Sequence, residues 1–198
     1  LLLVFVGVGY YFYKNKLYHI EFTGDKEKDY DYYLNNIIPK IKYTLPELNA
    51  HIKKIKTENT MRVIFYSKQF FYLLNKFFGF IPGRKSHTVF IPERIMNSDK
   101  SFIDSTIRGI FDTDGCVFLD KRKIYKKPYP RITLQTVSRP LYIQLKDYLS
   151  KYFKVYTAEF KNREVYAIEI YGENQLKKWM NKIGFSDKRH LDKIASVA

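Results

Sequence analysis

A short run near the middle of the chain places two carboxylates at the end of a predicted helix. Ile107–Gly115 reads IRGIFDTDG and contains Asp112 and Asp114. Gly109 stands where two helices could approach each other closely, and Gly115 allows a sharp turn into a following strand. A helix C-terminus carries partial negative charge, so an acid at Asp114 is unfavourable for the helix itself. This placement indicates that Asp114 serves binding or chemistry rather than helix stability.

The elements that must position this run follow from hydrophobic periodicity and turn residues. Helices are predicted at Tyr30–Leu45, Ser67–Phe80, Ser101–Thr113, Pro140–Phe153 and Glu173–Phe185, and paired strands at Tyr10–Phe22, His51–Tyr66, Cys116–Arg122 with Arg131–Val137, and Val155–Tyr171. Pro39 is expected to kink or end the first helix. Asp29 is its expected cap. The hairpin at Val155–Tyr171 is expected to turn at Asn162.

The same order of elements occurs twice. Gly9 and Gly115 each end a leading helix, and Gly79-Phe80 and Gly184-Phe185 each end a last helix at a similar spacing. A Lys-x-His sequence follows both of these last helices. The period is too long for a solenoid. The sequence therefore predicts two repeats, residues 1–98 and 99–198, in one compact α+β unit with pseudo-twofold symmetry.

With this duplication, IRGIFDTDG closely resembles the signature of the LAGLIDADG homing endonucleases, in their single-chain, two-motif form. Gly83–Ser86, Ile91-Pro92 and Ile183–Leu191 resemble the archaeal and intein-borne branch of that family. The resemblance implies two αββαββα units, whose saddle-shaped antiparallel sheets flank a central pair of packed motif helices. It also implies metal-dependent hydrolysis of DNA phosphodiesters at a long asymmetric site, and a monomer. The glycines of the helix packing would be Gly7, Gly9, Gly109 and Gly115.

The first copy of the motif lacks its acid. Leu1–Gly9 reads LLLVFVGVG and aligns with the motif, but Val8 occupies the position of Asp114. Mg²⁺ prefers carboxylate, carbonyl and water oxygens. Two-metal hydrolysis needs anionic ligands beside both the attacking and the leaving oxygen. A valine side chain supplies none, so we expect a single Mg²⁺ or Mn²⁺ at Asp114. Double-strand cleavage is then impaired, giving nicking or no reaction.

Further site residues follow from the same resemblance and from strand alternation. Lys85 and Lys188 match positions where the family keeps a basic residue near the scissile phosphate. Alternating residues of a strand share one face, and Arg and Gln read guanine and adenine edges. Arg131 and Gln135 are therefore the expected base-reading residues. The complete set of predicted DNA contacts is Lys14, Lys16, His19, Glu21, Thr23, Phe118, Asp120, Arg122, Lys126, Lys127, Arg131, Thr133, Gln135, Lys161 and Arg163, with Tyr10 and Phe12 on the same face of the first hairpin and Cys116 on that of the third.

Composition narrows the class of partner. The chain of 198 residues carries 35 Lys and Arg against 20 Asp and Glu, for a formal net charge of +15. Such an excess favours a polyanion. The aromatic fraction of 18% excludes a disordered chain, and a single cysteine excludes a disulfide scaffold. The apolar run of residues 1–13 is too short to span a bilayer. We therefore expect a cytoplasmic protein, associated with the nucleoid when it binds DNA, and no membrane partner.

Two alternatives derived from the same fold stay open at this point, and two further classes of protein are disfavoured. Loss of one acid with retention of the charge also suits an intron RNA maturase or a DNA-binding regulator derived from the same fold. A basic membrane-surface protein would concentrate its charge on one amphipathic helix, whereas here the basic residues spread over hairpins and loops. A self-splicing intein would begin with a nucleophile and end in His-Asn, so Leu1 and Ala198 favour an intron-borne or free-standing origin.

Overall fold

The computed structural model describes residues 9–14, 17–83 and 86–196, and for residues 9–14, 17 and 161 it describes the backbone only. The chain divides into two compact units, Leu1–Lys85 and Ser86–Ala198. The predicted first motif helix, including Gly7 and Val8, lies outside the described residues, as do Lys16 and Lys85.

The first unit contains a four-stranded antiparallel sheet in the order β1-β2-β4-β3. Its strands are β1 (Gly9–Lys14), β2 (Leu17–Asp25), β3 (His51–Lys54) and β4 (Thr60–Tyr66), and its helices are α1 (Tyr30–Tyr32), α2 (Ile38–Thr44) and α3 (Lys68–Tyr72), with π-helical turns at Tyr33–Ile37 and Leu73–Phe77. The Ser67 side chain caps α3 by accepting a hydrogen bond from the Phe70 N–H at 3.0 Å. Both predicted hairpins of this half are confirmed.

The second unit repeats this topology with the strand order β5-β6-β8-β7. Its strands are β5 (Gly115–Asp120), β6 (Tyr129–Thr136), β7 (Val155–Phe160) and β8 (Val165–Tyr171), and its helices are α4 (Glu93–Met96), α5 (Lys100–Thr113), α6 (Arg139–Leu149), α7 (Glu173–Lys182) and α8 (Lys188–Ala195). A 3₁₀ turn, Lys161–Arg163, joins β7 to β8. The predicted α+β class and the two antiparallel sheets are thus confirmed.

Each sheet buries one face under its own unit's helices. In the first unit this face carries Ile20, Phe22, Met61, Val63 and Phe65, all fully buried. In the second it carries Val117, Ile132, Leu134, Ile168 and Ile170. Burial of these side chains is the main favourable contribution to folding. On β2, β4, β5 and β6 the alternate residues lie on the opposite face of the sheet.

Pro39 was expected to kink or end the first helical segment, and the chain stays helical through it after a local distortion. The Ile38 N–H donates to the Tyr33 carbonyl, five residues back, so the chain makes a wide π turn immediately before the proline. A proline has no N–H to donate and its ring crowds the preceding turn, and the wider π turn accommodates both within a continuous helix. Asp29 precedes α1 as predicted but makes no side-chain capping bond to it. Its carboxylate instead accepts the Asp25 N–H at 2.7 Å.

Two other features differ from the sequence-based expectation. The predicted repeat boundary at 98/99 does not coincide with the division at Lys85/Ser86, because residues 86–98 pack on the second unit. Ser138 donates to the Val89 carbonyl, and the Gln144 side chain bonds both the Ile91 N–H and the Ile91 carbonyl. In addition, α8 follows α7 where no helix was predicted.

Candidate nucleic-acid interface

The IRGIFDTDG run forms the junction between α5 and β5, as predicted. Gly109, Ile110 and Phe111 are buried on α5, and Asp114 caps its C-terminus with an exposed side chain. A Cβ on Gly115 would lie 2.5 Å from the Phe111 carbonyl oxygen. Only glycine therefore allows the chain to leave the helix and enter β5 within one residue.

The two acids of the run have different environments. Asp112 is 1% exposed, and its carboxylate accepts the Ser186 N–H at 2.9 Å and the Asp187 N–H at 3.2 Å. These amides immediately precede α8. Asp112 therefore holds the start of α8 against the end of α5, which sequence reasoning did not anticipate. Asp114 is left as the exposed acid of the pair.

Helix α8 lies beside the first residues of β5. The Lys193 ammonium is 4.0 Å from the Cys116 sulfur. The Asp187 side chain caps α8 by accepting the Arg189 N–H at 2.8 Å, and Lys188 follows it with an exposed side chain. The helix thus brings a lysine close to the strand that follows Asp114. Lys193 was not among the predicted residues, because its position depends on this missed helix.

A buried imidazole on α8 predicts a pH-dependent stability. His190 is 4% exposed and its ring centroid is 4.8 Å from that of Phe185. Burial lowers the pKa of His190; Arg189 and Lys193 lower it further, and Asp187 opposes them. In the unfolded chain His190 binds a proton near pH 6.5, whereas in the folded chain it binds that proton only at lower pH. The free energy of unfolding therefore falls as the pH drops below 6.5, by at most about 1.4 kcal/mol per pH unit.

Urea unfolding between pH 7.5 and 5.5 measures this loss. His190→Phe should reduce the slope in this window, and the part that remains is expected from His19, whose pKa is also lowered by burial. His87→Phe, at an exposed histidine, should leave it unchanged. An identical slope in the wild type and His190→Phe would contradict the assignment.

The residues predicted to share the open face of the second sheet lie opposite one another in the structure. Cys116 pairs with Thr133 and Phe118 with Arg131, with Cys116, Phe118 and Gln135 exposed. Val117 between them is fully buried. The side chains available to a ligand on β5 and β6 are therefore those that alternation assigned to the open face.

Asp120 was predicted to contact DNA, but the structure buries its side chain. Its side chain is 4% exposed and lies against two guanidinium groups rather than at the surface. Arg122 Nη2 is 2.7 Å and Arg131 Nη2 is 2.8 Å from Asp120 Oδ2. Hydrogen bonds from Arg122, with its positive charge and that of Arg131, bring the pKa of Asp120 down to about 2. The carboxylate is therefore committed to the arginines and is not an open acceptor for DNA.

Arg131 is likewise less available than predicted for a base-reading residue. Its side chain is 18% exposed. Its guanidinium carbon lies 4.6 Å from the Tyr171 ring centroid, and Tyr171 stacks on Tyr156 at 4.6 Å. Arg131 therefore contacts the Asp120 carboxylate on one side and the stacked rings of Tyr171 and Tyr156 on the other. Arg122, which is 61% exposed, is the accessible member of the pair.

The first sheet has a corresponding open face. Tyr10 pairs with Glu21 and Phe12 with His19, as predicted. Thr23 is exposed on the same face. Glu21 is not free there, because Arg62 Nε lies 3.4 Å from its carboxylate. Only the backbone of Lys14, the last residue of β1, is described.

The remaining predicted cations lie in connecting segments. Lys126 is exposed in the loop between β5 and β6, and Lys127 in the same loop forms a 2.7 Å ion pair with Glu173. Arg163 is exposed in the 3₁₀ turn that contains Lys161, which confirms the predicted turn at Asn162. Lys127 thus already forms an ion pair with Glu173, the first residue of α7.

The donor chemistry at Asp114 suits a hard divalent cation. A carboxylate at a helix C-terminus adds its charge to the partial negative charge of the last carbonyls. Within residues 9–14, 17–83 and 86–196, no three His, Cys, Asp or Glu side chains converge as a protein-only metal site would require. An ion at Asp114 would therefore complete its coordination with phosphate and water oxygens, as Mg²⁺ commonly does. Among the described helices, none is long and apolar enough to cross a membrane.

Comparisons with known proteins agree with this architecture. A sequence profile of the LAGLIDADG-like domain family matches residues 101–184. The chain is 26% identical over 157 residues to a probable translation initiation factor IF-2 of Methanocaldococcus jannaschii, across 76% of this chain and 13% of that protein. The chain therefore spans only a small part of that relative's length.

Solved structures match along nearly the whole chain. I-DmoI in complex with DNA and Mn superposes with a TM-score of 0.64 at 15% identity, covering 93% of this chain and 94% of that one. The I-LtrWI LAGLIDADG homing endonuclease bound to target DNA gives 0.63 at 11% identity, covering 97% and 85%. Residues 101–184 therefore match the LAGLIDADG-like domain family, and the chain has the fold seen in solved LAGLIDADG homing endonucleases.

Proposed function

We propose that this protein binds a long, asymmetric site on double-stranded DNA through the open faces of its two sheets. The observation that carries the proposal is the open face of the second sheet, where Cys116, Phe118 and Gln135 are exposed, with Arg122 61% exposed in the turn that follows β5. Phosphate contacts position such a protein, and base-edge contacts specify its sequence. The net charge of +15 supplies the cations for the phosphates.

Catalysis is the second part of the proposal. Asp114 would hold a divalent ion, and Lys188 would stand near the scissile phosphate. When bound, such an ion activates water and stabilises charge on the phosphate oxygens. Asp114 would anchor the ion, and the exposed lysines of α8, Lys188 and Lys193, would add positive charge. Because Val8 replaces the acid of the first motif, we propose nicking or binding without cleavage rather than efficient double-strand cutting.

The missing acid also favours a second candidate, an RNA-binding maturase. Both candidates bind phosphates, so salt dependence alone does not separate them. Competition does: intron RNA that displaces selected duplex DNA at equal salt favours the maturase, and a persistent DNA complex favours the first proposal. We propose a monomer in the cytoplasm for both.

Fluorescence anisotropy on duplexes selected from a random pool tests the DNA-binding proposal. We expect the logarithm of the association constant to fall linearly with the logarithm of salt concentration. Lys126→Ala should lower the magnitude of this slope by about 0.9, because one phosphate contact is lost. Lys146→Ala is the matched control. Lys146 lies on α6, and Tyr142 of this helix stacks on Tyr166 at the buried face of the sheet, away from the proposed DNA-binding face. Failure to select any duplex sequence would contradict the proposal.

A further inference from the structure

The buried carboxylate of Asp120 holds two arginines of unequal exposure. Arg122 Nε lies 3.0 and 2.9 Å from the two carboxylate oxygens, and Arg122 Nη2 lies 2.7 Å from Oδ2. The Arg122 N–H also donates to Asp120 Oδ1 at 3.1 Å. Both the backbone and the side chain of Arg122 are therefore fixed by one acid.

We propose that Arg122 reads a guanine in the major groove and that Asp120 is the positioning residue that presents it. This inference rests on the proposed DNA-binding function. It replaces Arg131 with Arg122 as the base-reading arginine of this sheet.

The donors of Arg122 account for the choice of base. Asp120 occupies Nε and one N–H of Nη2 along one edge of the planar guanidinium. The other edge carries N–H groups on Nη1 and Nη2, in the fork geometry that fits two adjacent acceptors. The Tyr125 hydroxyl also interacts with this guanidinium, and the guanine acceptors would take the place of that contact. Guanine presents two acceptors, O6 and N7, whereas adenine presents one acceptor and one donor. The outward edge of Arg122 therefore complements guanine and clashes with the donor of adenine.

Arg131 makes this arrangement stable without competing for the base. Its Nη2 lies 2.8 Å from Asp120 and 3.5 Å from the Tyr125 hydroxyl, and its flat face covers Tyr171. The positive charge of Arg131 thus continues to neutralise Asp120 when the outward edge of Arg122 contacts DNA. Tyr125 also stacks on Tyr129 at 4.5 Å, so the turn that carries Arg122 is anchored to β6.

Binding-site selection followed by deep sequencing tests the inference. The wild type should show a strong guanine preference at one position of the selected site. Arg122→Ala should reduce that preference about tenfold, and Arg122→Lys should also reduce it, because an ammonium lacks the fork. Asp120→Asn should relax the same position while affinity for random duplex DNA is retained. Lys126→Ala, the control, should weaken binding to all sequences equally.

The possible failures are distinguishable. If the wild type selects no sequence, the proposed function fails. If it selects a site and Arg122→Ala keeps every base preference, the inference fails while the proposed function stands. Arg122 is an exposed surface side chain, so its variants test the inference even where Asp120→Asn lowers the melting temperature.

Discussion

Replacement of Val8 by aspartate is expected to raise the rate of double-strand DNA cleavage about 100-fold or more, the scale associated with one preorganised electrostatic group. The resemblance makes Val8 the counterpart of Asp114. A valine cannot ligate a metal ion, whereas a carboxylate is a preferred Mg²⁺ ligand. On the proposed function, an acid at position 8 would supply a ligand for an ion that the first motif otherwise lacks.

The assay follows a supercoiled plasmid that carries a selected binding site, in Mg²⁺ or Mn²⁺. The wild type should yield nicked circles at most, and Val8→Asp should yield linear DNA. Val8→Asn is the matched control, because it is polar but uncharged and should not restore cutting. Asp114→Asn in the Val8→Asp background should remove the gain. Robust linearisation by the wild type would show that our interpretation of Val8 is wrong.

Replacement of Asp112 by alanine is expected to destabilise the second unit by about 3 kcal/mol. Hydrogen bonds to charged groups contribute about 1.5–3 kcal/mol each, and Asp112 accepts bonds from two backbone amides. The alanine variant would leave both amides without this acceptor where α8 begins. Because α8 carries Lys188 and Lys193, any DNA cleavage should fall together with the order of this helix.

Hydrogen exchange at the Ser186 and Asp187 amides measures the loss locally, and urea unfolding measures it globally. Asp147→Ala is a suitable control, because this acid is exposed on α6. It should change the free energy of unfolding by less than about 0.5 kcal/mol. Unchanged protection of both amides in Asp112→Ala would exclude the proposed anchoring of α8.

The paired strands were predictable because alternation is local. A buried residue at every second position identifies the open face, so the placement of Cys116, Phe118, Arg131 and Thr133 on one face follows from sequence. The exact pairs Cys116–Thr133 and Phe118–Arg131 do not follow, because a slip of two residues would keep the same face. The IRGIFDTDG junction was predictable for a similar reason, since Gly115 is required where α5 turns into β5. The motif thus located the junction between helix and strand without knowledge of its surroundings.

The features that were missed depend on partners distant in sequence or on local geometry. Asp112 is held by amides 74 and 75 residues further along the chain. Asp120 lies on the open face by alternation, but its burial depends on Arg122 and Arg131 converging on it. Pro39 is normally a helix breaker, and only the π turn before it explains why the helix continues. None of these arrangements leaves a periodic signal.

Cys116 offers a spectroscopic handle that requires no engineering. It is the sole thiol in the sequence and is exposed at the start of β5, two residues after Asp114. A maleimide dye or nitroxide label would therefore attach at one known point on the open face. Quenching or line broadening on addition of DNA would report occupancy of that face directly, in the natural sequence, before any target site is known.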